Sequence, residues 1–305
     1  MPIADAHVKG ATTVAEGSPT VRRRELGALL RKLRKDRDLT VDQVTTYLEC
    51  SASKISRIET GQRGATPRDV RDLCDLYGVT DQAERERLVG LAREGKQQGW
   101  WQPYDLPYST YVGLEAEALS IKDYDSAVVP GLLQTPDYAR ARHEGAFPRL
   151  RPEIIEQRIE ATLKRQLLLT RDQPPHLWSI LDEAVLHRVM GSPEIMRQQL
   201  QRIGQAMEMP NVVVQIVPYT IGAHPALDSV FTILELPGVV STVVYVEGLL
   251  GQVYLEREQD AERYSRVFER LNTIALSVKD SRNYIARISR NYGLITTAWP
   301  ETIEG

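Results

Sequence analysis

Residues 39–62, LTVDQVTTYLECSASKISRIETGQ, constrain the fold most, because their apolar residues recur at helical spacing on either side of a short break. Thr40 is placed to cap a first helix and Ser51 to cap a second. The second helix has apolar residues on one face and short polar or cationic residues on another. Two short helices joined by a tight turn, the second with a cationic face, have the shape that a DNA major groove of about 12 Å admits.

This segment resembles the Xre (lambda-repressor-like) helix-turn-helix, whose pattern has a Gln near the start of the helix that Thr40 caps and an Ile-Ser-Arg-Ile-Glu-x-Gly recognition segment, here Gln43 and residues 55–61. The resemblance implies that Thr40 and Gln43 hold the DNA backbone and that two arginines neutralise phosphates. Lys54 is our candidate base contact, since lysine can donate to guanine O6 and N7. The predicted DNA-contacting residues are Thr40, Gln43, Ser51, Ser53, Lys54, Arg57 and Arg63.

Two glutamates depart from a simple DNA-binding pattern. Glu49 occupies a turn position that is often Gly in this family, and a left-handed backbone there costs roughly 1 kcal/mol, which helix packing can absorb. Glu59 would repel phosphate, so we expect it to pair with Arg31 or Arg34 of the preceding helix. The alternative is a small helical domain that uses the same shape for protein contacts, but its outward groups are polar and lack apolar anchors.

The charge distribution supports two domains with different partners. The chain has 305 residues, enough for about two domains. Residues 21–80 contain 13 Lys and Arg against 9 Asp and Glu, whereas residues 81–305 contain 24 against 30. A basic N-terminal region followed by an acidic one favours an anion-binding module attached to a domain that does not bind anions.

Targeting signals and metal ligands are not evident in the sequence. Residues 1–20 lack a basic start followed by an apolar block, so we expect a flexible tail and a cytoplasmic protein. No segment has the roughly 18 uncharged apolar residues that a membrane span needs. Cys50 and Cys74 stand alone among apolar neighbours, where cysteine acts as a small buried hydrophobe. We therefore expect no metal, no cofactor and no membrane partner.

An aromatic stretch separates the two parts. Residues 96–112 combine Trp and Tyr with Gly and Pro, which is typical of a boundary. Aromatic side chains can stack on nucleotide bases, but basic residues are not interleaved with them here, so the interface interpretation is favoured. We expect these aromatics to dock the N-terminal domain onto the C-terminal domain or onto a second chain.

The next segment reads as a helix, a Pro-Gly break and a second helix capped by Thr135. Glu115–Ile121 and Val129–Arg140, the latter spelled VPGLLQTPDYAR, resemble the C-terminal domain of WhiJ-like regulators of actinomycetes, a domain of unknown biochemical function. The resemblance covers nearly the whole chain after residue 20. It implies a small partner protein encoded nearby as one source of regulatory input.

Strand signals dominate the later sequence. Val, Ile and Tyr are concentrated in residues 212–219, 229–236 and 243–256, and residues 176–181 are a further candidate strand. Helical patterns flank them. The expected fold is an all-α N-terminal helix-turn-helix domain followed by a larger α+β domain with a small sheet flanked by helices.

Enzymatic motifs are missing from the sequence, so we predict that the protein is not an enzyme and has no catalytic residues. Neither a phosphate-binding loop, a nucleophile elbow nor a metal-binding His pattern occurs. Glu183 and Glu247 could form an acid/base pair, although a solvated glutamate is the default at strand edges. Tyr245 and Glu247 share one strand face, with Tyr124 and Trp178 as candidate neighbours, which forms either a ligand pocket or a core.

These patterns define four regions and one function. We expect a tail at 1–20, a helix-turn-helix domain at 21–95, an aromatic linker at 96–112 and a regulatory and dimerisation domain at 113–305. The predicted function is that of a repressor-like transcriptional regulator that binds double-stranded DNA as a homodimer and receives a ligand or partner-protein signal. In the alternative, the C-terminal domain is an enzyme or small-molecule receptor that the DNA-binding domain targets.

Overall fold

The computed structural model describes residues 18–238, 241–248 and 251–294. Its N-terminal part is entirely helical, as the sequence predicts. The five helices are α1 (Pro19–Asp36), α2 (Val41–Leu48), α3 (Ala52–Glu59), α4 (Pro67–Leu76) and α5 (Gln82–Glu94). Their inward side chains form one hydrophobic core, which includes Leu30, Val44, Ile55 and Leu73.

The closeness of α1 and α3 fixes the geometry of this domain. A side chain on Gly27 would bring its Cβ within 2.3 Å of the Ile58 carbonyl oxygen, so the two backbones are in direct contact. Gly61 follows α3 and has φ +69°, a conformation that favours glycine. It also packs against α1, since a Cβ there would lie 2.7 Å from Arg24 Cα. The helix that carries the cationic face is therefore held rigidly on the first helix.

The C-terminal part is an α+β domain built on a mixed six-stranded sheet. Its strands are β1 (Ser120–Asp125), β2 (His176–Asp182), β3 (Val212–Val217), β4 (Phe231–Glu235), β5 (Thr242–Gly248) and β6 (Gly251–Leu255). The sheet order is β3-β2-β1-β4-β5-β6. Strands β1, β2 and β3 are parallel, and β4, β5 and β6 continue the sheet in antiparallel pairs.

Helices cover both faces of this sheet. They are α6 (Ser109–Glu115), α7 (Pro136–Ala146), α8 (Pro152–Gln166), α9 (Ala184–His187), α10 (Pro193–Ala206), α11 (Glu258–Ile274) and α12 (Val278–Leu294). The larger core, which contains Ile121, Leu177 and Val214, lies under one face. The smaller core, which contains Tyr124, Ile180 and Phe268, lies under the other. The predicted α+β class is confirmed.

Strand β1 corrects the sequence interpretation, which placed residues 120–125 in a helical pattern. The segment SIKDYD is unusually polar for a central strand. Its Asp123 is nevertheless buried inside the sheet. Residues 243–256, read as one strand, are the two strands of the hairpin β5–β6. In both places tertiary pairing, which is invisible in a local pattern, decides the structure.

Helix α1 begins inside the predicted tail and contacts the C-terminal domain. Most of the predicted tail, residues 1–17, lies outside the described residues. Ser18, Pro19 and Thr20, which we assigned to that tail, are buried at the start of α1. The next residue, Val21, belongs to the large core of the C-terminal domain. A Cβ on Gly113 of α6 would lie 2.3 Å from the Thr20 hydroxyl oxygen, so α1 and α6 pack in direct contact.

The aromatic linker lies against the C-terminal domain. Trp101 is buried in a small cluster with Leu106, Val112 and Ala161, and α6 begins within the predicted linker at Ser109. Within the described ranges, no helix combines the length and apolar character needed to cross a lipid bilayer.

Candidate nucleic-acid interface

The candidate interface is built on α2 and α3, each of eight residues. Between them, Glu49 adopts the left-handed conformation expected from the sequence, with φ 47° and ψ 49°. The N–H of Cys50 donates to the Thr45 carbonyl at 3.1 Å, which closes the end of α2. With Val44 and Ile55 buried beneath, the turn fixes the angle between the two helices.

The start of α2 is a capping box. Thr40 Oγ1 accepts from the Gln43 N–H at 3.2 Å, and Gln43 Oε1 accepts from the Thr40 N–H at 2.8 Å. This pairing commits the Gln43 carbonyl oxygen and leaves its exposed amide nitrogen, a donor with two protons, facing solvent. Both residues thus lie at a helix N-terminus, where a phosphate oxygen is favourably bound.

The solvent face of α3 is short, polar and cationic. Ser51 Oγ accepts from the Lys54 N–H at 3.2 Å, which caps the helix as predicted. Beyond the cap, Ser53, Ser56 and Arg57 are exposed. Arg57 Nε donates to the Ser53 carbonyl at 3.3 Å, so this side chain lies along the helix. Sequence reasoning missed Ser56, although its position three residues after Ser53 places it on the same face.

Arg63 lies close to the C-terminal end of α3. Its N–H donates to the Arg57 carbonyl at 2.9 Å, and its side chain is exposed. The two arginines predicted to neutralise phosphates are therefore neighbours on one end of the candidate surface.

Lys54, the predicted base contact, is bound by a carboxylate of another helix. Its Nζ lies 2.7 Å from Oδ1 of Asp69, and the two side chains are 24% and 16% exposed. Asp69 also accepts from the Thr66 N–H at 3.0 Å in the capping box of α4. Burial opposes the charge of Asp69, but the hydrogen bonds from Lys54 and Thr66 outweigh it and lower the pKa of this carboxyl. A base contact by Lys54 therefore has to break this ion pair.

Glu59 is neutralised in the way the sequence predicts. Arg34 donates to Glu59 with Nε at 2.6 Å and Nη2 at 2.8 Å, a bidentate pair, and its Nη1 donates to the Leu39 carbonyl at 2.8 Å. The hydrogen bond to Glu59 is the largest factor that raises the pKa of Arg34. The expected partner is confirmed as Arg34 rather than Arg31, and the pair ties α3 to α1.

A large cleft of about 1890 Å³ separates the candidate surface from the acidic side of the C-terminal domain. Arg31, Lys32 and Lys35 of α1 line one wall. The opposite wall contains carboxylates of α11 and of the turn before it, namely Glu256, Glu258, Asp260, Glu262 and Glu269. Thr60 and Gln62, at the end of α3, border the same cleft. The acidic surface of the chain thus faces the basic side of α1.

The structure divides the four predicted pocket residues between the two faces of the sheet. Tyr245 and Glu247 line a cavity of about 140 Å³ on the face of the large core. Trp178 packs edge-on against Phe268 on the opposite face, and its Nε1 donates to Gln215 at 2.7 Å. Tyr124 borders the cavity, but its ring contacts His224 and Phe231 on that opposite face. Of the two candidate neighbours, Tyr124 thus lines the cavity with Tyr245 and Glu247, whereas Trp178 does not, because alternation along β2 places its ring on the opposite face.

The acid/base pair considered from the sequence is not assembled around this cavity. Glu183 accepts from the Tyr219 N–H at 2.8 Å and from the Tyr284 hydroxyl at 2.5 Å, and it is absent from the cavity wall that Glu247 lines. Burial opposes the charge of Glu183, but these hydrogen bonds lower its pKa overall. Glu183 is thus a structural acceptor for α12 and the loop after β3.

Comparison with known proteins assigns a description to each part of the chain. A family described as a helix-turn-helix domain matches residues 25–88, and a family described as a domain of unknown function, DUF5753, matches residues 108–287. The HTH-type transcriptional repressor RghR of Bacillus subtilis (strain 168) is 48% identical over 54 residues, which are 17% of this chain and 40% of that protein. The chain thus matches less than half the length of that relative. No solved structure matches the chain.

Proposed function

Because this chain belongs to the DUF5753 family and carries a helix-turn-helix domain before that region, we propose that it is a sequence-specific transcriptional regulator of the Xre type. Its N-terminal domain binds double-stranded DNA, and its C-terminal domain receives the signal that sets DNA occupancy. RghR, a similar protein, is described as a transcriptional repressor, and this supports repression as the outcome here.

The solvent face of α3 is the observation that carries the proposal. Ser53, Ser56 and Arg57 are exposed there on a helix that the Arg34–Glu59 ion pair holds against α1. Groups of this kind donate to base edges and phosphates, whereas protein interfaces favour buried aromatic and aliphatic anchors. The carboxylate of Glu59 would repel DNA if it were unpaired, and its bidentate partner removes that obstacle.

Dimerisation is part of the same proposal. A single helix-turn-helix domain contacts few base pairs, whereas two domains on symmetric half-sites about one helical turn apart gain both affinity and specificity. We assign dimerisation to the C-terminal domain, and sedimentation of the full chain with and without DNA measures it.

Fluorescence anisotropy of the full chain tests the function. The labelled DNA comes from the region upstream of the chain's own gene, with a scrambled sequence as reference, at two salt concentrations. We expect tight, selective binding that weakens steeply with salt, because phosphate contacts release counterions. Equal, weak binding to both DNAs would contradict the proposal.

Paired charge reversals locate the interface. Lys54→Glu with Arg57→Glu is expected to abolish selective binding. Arg93→Glu with Lys96→Glu makes the same change in net charge at two exposed positions, one on α5 and one just after it, and is expected to leave selectivity intact. If the control pair weakens binding as much as the first pair, the surface of α3 is not the interface.

Single substitutions separate base recognition from phosphate contact. We expect Lys54→Ala to cost about 1 to 3 kcal/mol and to relax specificity, whereas Arg63→Ala should weaken binding to all sequences equally. A uniform loss with Lys54→Ala would show that Lys54 contacts phosphate instead of a base.

A further inference from the structure

The cavity of about 140 Å³ in the C-terminal domain lies between the sheet and a loop that covers it. The register places Asp123 of β1 opposite Thr232 of β4, and Thr232 opposite Tyr245 of β5. These three side chains form one row across the cavity floor. The next row on the same face contains Asp125 and Glu247, two residues further along β1 and β5. The volume is close to that of an engineered cavity that binds benzene.

The roof of the cavity is well defined. Gln134 Nε2 donates to the Val129 carbonyl at 2.6 Å and fixes the covering loop. Gly131 in this loop allows the guanidinium of Arg165 to approach, since a Cβ there would lie 2.9 Å from Arg165 Nη1. Arg165 forms a bidentate pair with Glu115, with both contacts at 2.7 Å. This arginine is therefore already neutralised by the protein.

Carboxyl groups outnumber guanidinium groups in the rest of the wall. Once Arg165 and Glu115 cancel, three carboxyl groups face one guanidinium, that of Arg142. The Ser179 hydroxyl donates to Asp123 Oδ1 at 2.5 Å, and Asp125 Oδ1 accepts from the Ala127 N–H at 3.1 Å. Glu247 is exposed at the mouth. Burial raises the pKa of Asp123 to about 8, and the nearby carboxyls of Asp125 and Glu115 add to the rise, so this group keeps its proton near neutral pH until a bound cation replaces that proton.

The aromatic part of the wall supplies an independent observation. Tyr245 is 6% exposed, and its buried hydroxyl makes no hydrogen bond of normal geometry to the described residues; burial and the nearby Glu247 carboxylate raise its pKa. A buried hydroxyl without a good partner is costly, so a ligand group that bonds to it gains free energy. The Tyr245 ring lies 4.5 Å from the ring of Tyr111, centroid to centroid, and both line the cavity. Aromatic faces beside carboxylates attract organic cations.

We propose that this cavity binds a small organic cation, with its charged nitrogen against the carboxyl groups of Asp123 and Glu247 and its apolar part against Tyr111 and Tyr245. Under the proposed function, this cation is the chemical class of signal that the regulator receives, and only that interpretation rests on the proposed function. Binding itself requires no DNA.

The position of the cavity suits such a signal. The ring of Tyr245 lies 5.4 Å from that of Tyr254 in the neighbouring strand β6. The guanidinium of Arg24, in the first helix of the DNA-binding domain, lies 5.1 Å from the Tyr254 ring centroid and pairs with Glu256. A ligand that moves Tyr245 therefore acts on Arg24 of α1 through the ring of Tyr254.

Calorimetric titration of the full chain with three probes of matched size tests the proposal. Benzylamine carries a positive charge, benzyl alcohol is neutral and benzoate is negative. We expect benzylamine to bind about tenfold more tightly than either other probe, because one buried ion pair distinguishes them. Equal affinity for the three probes would overturn the proposal, as would tighter binding of benzoate.

Three variants locate the site. Asp123→Asn and Glu247→Gln are each expected to weaken benzylamine about fivefold or more, and Glu247 is exposed enough for its variant to fold normally. Glu269→Gln removes an equal charge from α11, outside the cavity, and should leave the affinity unchanged. If the Glu269 variant weakens benzylamine as much as the Glu247 variant does, the attraction is general and the site is wrong.

DNA binding measured on the same samples separates the two proposals. Selective DNA binding without any benzylamine binding would overturn the cation site and leave the regulator intact. Benzylamine binding that depends on Asp123 and Glu247, in a protein that does not select DNA, would support the site and contradict the regulator.

Discussion

Replacing Asp69 with Asn should tighten selective DNA binding. In the DNA-free chain the ammonium of Lys54 lies 2.7 Å from the Asp69 carboxylate, and contact with a base requires this ion pair to open. Asparagine retains a carbonyl oxygen that can accept from the Thr66 N–H, so the cap of α4 is preserved. The substitution thus removes the competing charge with little change to the fold.

The free energy needed to open the Lys54–Asp69 ion pair follows from how exposed its two side chains are. The two side chains are 24% and 16% exposed, between a surface pair and a buried one. Exposed pairs contribute about 0.2 to 1 kcal/mol, so we take about 0.5 to 1 kcal/mol for opening this one. That free energy corresponds to a two- to fivefold decrease in the Kd for the specific DNA.

A double-mutant cycle shows whether the gain passes through Lys54. Anisotropy is measured for the original chain, Asp69→Asn, Lys54→Ala and the double variant on specific and scrambled DNA. We expect the gain from Asp69→Asn to vanish when Lys54 is absent. A gain that persists in the Lys54→Ala background would refute the reasoning, because it would reflect general removal of negative charge. Weaker binding by Asp69→Asn would refute it as well.

Three further substitutions test other parts of the structure. Glu49→Gly should raise the free energy of unfolding in urea by roughly 1 kcal/mol, because glycine adopts the left-handed turn without strain, and a loss would contradict this. Glu115→Gln should cost about 3 to 5 kcal/mol by leaving the buried guanidinium of Arg165 uncompensated, whereas Glu115→Leu with Arg165→Met should cost less. Asp123, with its pKa raised from 3.8 to about 8, contributes stability that is complete below the unfolded value and is lost as the pH rises through the folded value. Asp123→Asn should therefore melt higher, relative to the original chain, near pH 9 than near pH 5, and an equal difference at both would exclude this titration.

The sequence predicts the N-terminal domain well because its signals are local. Thr40 and Ser51 cap helices that begin within one residue of them, and Glu49 lies in a turn set by its immediate neighbours. The pairing of Glu59 was predictable from charge, since an unpaired carboxylate on a recognition helix would repel phosphate. By contrast, Asp69 follows Lys54 by 15 residues and belongs to another helix, so no spacing rule links them.

In the C-terminal domain the limit of sequence reasoning is register. Strand periodicity correctly places Tyr245 and Glu247 on one face, because that follows from alternation within a single strand. Which residues of β1 join them depends on how β1, β4 and β5 align. The alignment brings the side chains of Asp123 and Asp125 onto the same face as Tyr245 and Glu247, which no pattern within β1 predicts. A buried acidic residue in a central strand also hides that strand from any hydropathy pattern.

The seating of Val21 in the large core has a consequence for evolution and for protein engineering. The DNA-reading part of this chain begins inside the hydrophobic interior of the other part, with Thr20 pressed against Gly113 of α6. A gene fusion at the aromatic linker would therefore remove Val21 from that interior and leave a cavity in the core of the C-terminal domain. New operator specificities are easier to acquire by changing the solvent face of α3 than by exchanging whole DNA-binding modules.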